Sequence, residues 1–108
     1  MERKSKISVT WAPSAIADLL EIYDRLAGEY SADFAASSVF TIRAAGAALG
    51  SHPRLWRERG DIAAHIRLAP VHRYFICYTI GSHGVKISRI IHEKRDIVAL
   101  FANHENRA

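Results

Sequence analysis

Hydrophobic residues change their spacing near the middle of this chain, and that change limits the folds open to it. Between residues 13 and 49 they recur every three or four positions, the period of a helix with one apolar face. From residue 65 to residue 92 they recur every second position, the period of a strand with one apolar face. Helices followed by strands hide both apolar faces at once when the helices pack on one side of a sheet, which is an α+β arrangement.

The details follow from local chemistry. Lys6 to Trp11 reads as a short strand with Ile7, Val9 and Trp11 on one side. Pro13 suits the first turn of a helix, where its missing N–H costs nothing. The stripe of that helix is Ile16, Leu19, Leu20, Tyr23 and Leu26, with Asp18, Glu21, Asp24 and Arg25 toward water and Gly28 at the stop. A second helix begins after Ser31, whose hydroxyl can cap free N–H groups, and Asp33 suits the positive end of its dipole. Its stripe is Ala35, Val39, Ile42, Gly46 and Leu49, small enough for two helices to lie close as an antiparallel hairpin. Residues 52–64, with Pro53, Gly60 and the cluster Arg54, Arg57, Glu58, Arg59, read as a surface loop held down by Trp56. Strands are predicted at His65 to Ala69, Val71 to Ile80 and Val85 to His92. A short helix at Asp96 to Phe101 then precedes a frayed tail from Asn103. A chain of 108 residues has room for one domain, spanning 1–108. The predicted fold is α+β: an N-terminal strand, an antiparallel helical hairpin packed on one face of a small antiparallel sheet of about four strands, and a short C-terminal helix.

Charge is concentrated in the second half. Residues 1–50 carry 5 Lys or Arg against 6 Asp or Glu, whereas residues 51–108 carry 10 against 5 and all six histidines. Such a half-domain favours an anionic partner, either nucleic acid or an acidic protein segment, with a merely solvated basic face as the alternative. Cys77 is the only cysteine, which excludes an intrachain disulfide and a cysteine-based zinc cluster and fits a reducing cytoplasm. The polar start and the lack of about 18 consecutive apolar residues predict neither a signal peptide nor a membrane span. The histidines lack metal-ligand spacing, and there is no glycine-rich phosphate loop and no serine elbow, so no cofactor or metal is expected. Arg43 is the only cation of the second helix, a poor endowment for a DNA-recognition helix.

Register brings particular residues together. With Ser82 and His83 as a two-residue turn, Ile80 faces Val85, Tyr78 faces Ile87, Ile76 faces Arg89 and Tyr74 faces Ile91 on the more apolar side. On the other side Thr79 faces Lys86, Cys77 faces Ser88, Phe75 faces Ile90 and Arg73 faces His92. A guanidinium can hold a phosphate bidentately, and an adjacent imidazole can move a proton near neutral pH. Arg73 and His92 are therefore the candidate catalytic pair of a metal-independent ribonuclease, or else two solvated charges at a strand end. Arg67, Lys86, Arg89, Lys94 and Arg95 form a candidate basic patch, with a salt bridge to an acidic helix residue as the alternative role for Arg89.

The runs "VTWAPSAIADLLEIYDRL", "LGSHPRL", "VHRYFICYTI" and "VKISRIIHEKRD" resemble, in this order and spacing, the ParE/RelE family of toxins from bacterial type II toxin-antitoxin systems. The resemblance covers Ile7 to about Phe101 and implies a four-stranded sheet in which the N-terminal strand lies beside the last. It also implies a cytoplasmic toxin neutralised by a cognate antitoxin, as a homodimer or a toxin-antitoxin heterotetramer. ParE-like members poison DNA gyrase, whereas RelE-like members cut messenger RNA on the ribosome. Arg73 matches the arginine that nucleases of the family use near the scissile phosphate. Arg89, His92, Arg95 and Asp96 match the ParE-type ending, and there is no tyrosine after Tyr78. The resemblance is thus closer to the gyrase-directed branch, with the ribosome-dependent endonuclease as the alternative.

Overall fold

The computed structural model describes residues 6–105. Its elements are β1 (Val9–Trp11), α1 (Pro13–Glu29), α2 (Ala32–Ala48), β2 (Arg67–Val71), β3 (Tyr74–Gly81), β4 (Gly84–His92) and α3 (Ile97–Glu105). They build the expected α+β arrangement, with a sheet in the order β1-β4-β3-β2. One strand departs from the antiparallel expectation: β1 runs parallel to β4, with Val9 opposite Val85 and Trp11 opposite Ile87. Parallel neighbours need a long crossover, and the helical hairpin with β2 and β3 supplies it. The expected strand over Val71 is split differently, since Pro70 and Val71 belong to β2 and the turn falls at His72 and Arg73. As an edge strand, β2 tolerates the proline. The C-terminal helix reaches Glu105, so the tail expected to fray from Asn103 starts as helix, and residues 106–108 lie outside the described part.

Only Tyr30 and Ser31 separate the two long helices, and the Ser31 hydroxyl accepts the Phe34 N–H at 3.1 Å as the expected cap. Gly46 lets α2 lie against the sheet: a Cβ there would stand 2.5 Å from the Trp11 ring and 3.0 Å from Ile87 Cδ1. Helix α1 is rotated from its expected orientation. It buries Ala15, Asp18, Leu19, Ile22 and Leu26, leaving Ile16 and Leu20 exposed. The cause is Asp18, which belongs to the inward face and not to water.

The β3–β4 register starts as expected, with Ile80 opposite Val85, Thr79 opposite Lys86 and Tyr78 opposite Ile87. It then shifts by one residue at Ser88. Cys77 faces Arg89, Ile76 faces Ile90, Phe75 faces Ile91 and Tyr74 faces His92. Ile87 and Ile90, three apart, both belong to the core beneath the hairpin, and only an extra residue between them permits that. Side chains hold the bulge in place. Ser88 Oγ donates to the Cys77 carbonyl at 3.1 Å, and the Asp18 carboxylate accepts the Ile90 N–H at 2.8 Å.

Apolar packing covers both faces of the sheet. Leu19, Ile22, Leu26, Ile42, Ile76, Tyr78, Val85, Ile87 and Ile90 fill the space under the hairpin. On the reverse side Ile62, Ile66, Leu68, Cys77, Ile91 and Ile97 form a second, smaller core flanked by Phe75, Leu100 and Phe101. The sheet face opposite the hairpin, where the predicted register put Lys86, Arg73 and His92, is therefore largely apolar and covered. The bulge sends Ile91 to that side, and α3 and the segment before β2 close over it.

Candidate functional site

Between the joined ends of the helical hairpin and the β2–β3 turn lies a groove of about 710 Å³. Leu26 and Ile42 give it an apolar base, and Tyr30 and Phe34 form a wall with ring centroids 5.1 Å apart. Arg25, His72, Arg73, His92 and Lys94 line the opposite part, with the hydroxyls of Ser37 and Ser38 nearby. The short interhelix connection places the aromatic wall, since Tyr30 ends one helix and Phe34 opens the next. The turn places His72 and Arg73, and His72 takes φ 54°, a left-handed conformation that costs a non-glycine residue free energy.

Hydrogen bonds order this region. Arg25 donates to the Tyr74 hydroxyl at 2.5 Å and approaches Glu29 Oε1 at 3.4 Å. The Glu93 N–H donates to the Arg73 carbonyl at 2.7 Å, while the Arg73 guanidinium stands 3.6 Å from Glu93 Oε2 with its side chain 70% exposed. The His92 ring meets Tyr74 edge to face at 5.2 Å, and its Nδ1 accepts the Lys94 N–H at 3.1 Å.

Arg73 and His92 line one groove but are not the cross-strand pair that strict alternation predicts. Arg73 sits in the turn, and the bulge moves Tyr74 opposite His92. The predicted basic patch divides. Arg67, only 13% exposed, donates to the Trp56 carbonyl at 2.6 Å and lies 3.5 Å from Glu58 Oε2, so it ties down the preceding loop. Arg89 grips Asp18 with two hydrogen bonds of 2.8 and 3.1 Å, and that carboxylate raises its already high pKa further. Lys94 lines the groove, and Arg95 lines an adjoining cavity of about 270 Å³ beside Asp18 and Glu21. Lys86 is exposed six residues before His92 on β4, about 20 Å along the strand. Tyr30, Phe34 and His72 are groove residues that sequence reasoning missed. Asp18 was misplaced, although the spacing Ala15, Asp18, Leu19, Ile22, Leu26 already sets a carboxylate within an apolar stripe.

A helical hairpin on one face of a small mixed sheet, with a basic and aromatic groove at its joined end, defines the class of protein. A family model described as "ParE toxin of type II toxin-antitoxin system, parDE" matches residues 9–97. The chain belongs to this toxin family. Its fold is similar to a solved structure titled "Chromosomal ParDE TA system from P. aeruginosa", with a TM-score of 0.73 and 20% identity over 81% of this chain and 96% of that one. Among curated proteins, none matches. No helix among the described residues is long and apolar enough to cross a membrane.

Proposed function

We propose that this toxin acts in the cytoplasm on DNA gyrase and is neutralised by a cognate antitoxin whose acidic segment occupies the groove. The family match over residues 9–97 carries the reading. The groove's chemistry supports the antitoxin half of it. Leu26, Ile42, Tyr30 and Phe34 suit apolar anchors of a segment that folds on binding, and the cations opposite them suit its carboxylates. For the gyrase half, support comes from what the alternative lacks. A nuclease built on Arg73 and His92 needs a base, and the Nδ1 of His92 already accepts the Lys94 N–H. The hydroxyls of Tyr74 and Tyr78 are engaged by Arg25 and the Pro53 carbonyl.

The purified chain is expected to inhibit gyrase supercoiling of a plasmid and to leave ribosome-bound messenger intact. Cleaved messenger with unaffected gyrase would transfer the function to the endonuclease reading. In that case Arg73→Ala should abolish cleavage.

A further inference from the structure

The connection from α2 to β2 runs from residue 49 to residue 66, longer than most structureless loops in compact domains. It is nevertheless firmly held. The Leu55 N–H donates to the His52 carbonyl at 3.2 Å, closing a β-turn with Pro53 at its favoured second position. The Tyr78 hydroxyl, from a fully buried ring, donates to the Pro53 carbonyl at 2.8 Å, and the Arg67 guanidinium donates to the Trp56 carbonyl at 2.6 Å. Tyr78 and Arg67 are themselves cross-strand partners, so one rung of the sheet fixes the loop at two points. Between and beside those points the chain presents Arg54, Leu55 and Arg57 to solvent, with Leu55 67% exposed. Among the described residues neither arginine meets a carboxylate.

We infer that this pinned loop is a target-contact surface, and that its partner is an acidic protein surface with an apolar recess for Leu55. The inference rests on the toxin reading above and gives that toxin a contact separate from the groove. Tyr74 lines the groove and Tyr78 holds the loop, four residues or about 13 Å apart on β3. Holding the loop before binding removes the ordering cost that a long connection would otherwise incur. Arginine is enriched among the residues that carry binding energy at protein interfaces, and two of them flank the exposed Leu55 here. A nucleic acid is the poorer fit, because a phosphate backbone offers Leu55 no recess.

The test induces the full chain in growing bacteria as wild type, Leu55→Asp, Arg54→Glu with Arg57→Glu, and Arg54→Lys with Arg57→Lys. Each is also purified for thermal melting, gyrase supercoiling and binding to a 20-base-pair DNA duplex. Leu55→Asp and the double glutamate variant are expected to melt like wild type yet lose growth arrest at least tenfold, with the lysine variant in between. Full growth arrest by either folded variant overturns the inference. So does wild-type duplex binding that the glutamate variant loses, which would make the loop a nucleic-acid contact, and so does a wild-type chain that arrests nothing. If wild type arrests growth without touching gyrase and Leu55→Asp does not arrest it, the gyrase reading fails and the loop assignment stands. If wild type inhibits gyrase and Leu55→Asp does so equally, the reverse holds.

Discussion

Asp18 is the only buried charged side chain among the described residues, and three donors satisfy it: two from Arg89 and the backbone N–H of Ile90. Removing it would strand a guanidinium and an N–H at the bulge. Breaking a buried pair costs about 3–5 kcal/mol, and the partial exposure of Arg89 brings the expected loss for Asp18→Ala to about 2–3 kcal/mol. Urea denaturation should show it, and a loss below about 0.5 kcal/mol would mean the bulge holds without its carboxylate. Cys77 makes a second prediction at this scale. Burial pushes its thiol up from 9.0 to about 12. The unfolded chain therefore ionises first, so this contribution to stability is whole below pH about 9 and is lost as pH rises toward 12. Cys77→Ala should be less stable than wild type at pH 7 but should lose less between pH 9 and 11. An equal alkaline loss in both would dismiss the thiol as its source.

Among elements, α2 is the most exacting in how it packs. Replacing Gly46 with alanine improves helix propensity by about 1 kcal/mol, yet its Cβ would meet the Trp11 ring at 2.5 Å. Overpacking a close contact costs about 1–3 kcal/mol, and Trp11 is held between β1 and the helix, so Gly46→Ala should be destabilising by about 1 kcal/mol net. A higher melting temperature in the variant would show that Trp11 can move aside. Most element-level features were legible locally: Pro13, the Ser31 cap, the Ser82–His83 turn and the apolar periods each depend on residues a few positions apart. The bulge was less so. Its trace is the spacing of Ile87, Ile90 and Ile91, which cannot keep strict alternation, but choosing which residue is extra requires knowing that Asp18 approaches β4 from another element.

For the whole molecule, the decisive arrangement is that both sheet faces are covered. The second core depends on α3, which contributes the buried Ile97 and the half-buried Leu100 and Phe101. Ending the chain after Asp96 would uncover Phe75, Cys77 and Ile91 and should cost roughly 3 kcal/mol at about 25 cal/mol per Å². The truncated chain should bind an apolar dye and let a thiol reagent reach Cys77 at pH 8, where wild type resists it. A Cys77 equally slow in both forms would show that the sheet and the loop before β2 shield it unaided. The same scale explains the groove. Its aromatic wall comes from the interhelix turn and its basic side chains from Arg25 and residues 72–94, so no local pattern could announce it.

Sequence alone determined the order and type of the elements, because period, caps and turns are set by neighbours along the chain, and its motifs pointed to the family. The tertiary structure decided which charges are available. Arg67 and Arg89 look like members of a basic patch until partners from distant segments, Trp56 with Glu58 and Asp18, are seen to consume them. Charge on a side chain is a property of one residue, whereas its freedom to meet a ligand depends on what folding has placed within hydrogen-bonding distance.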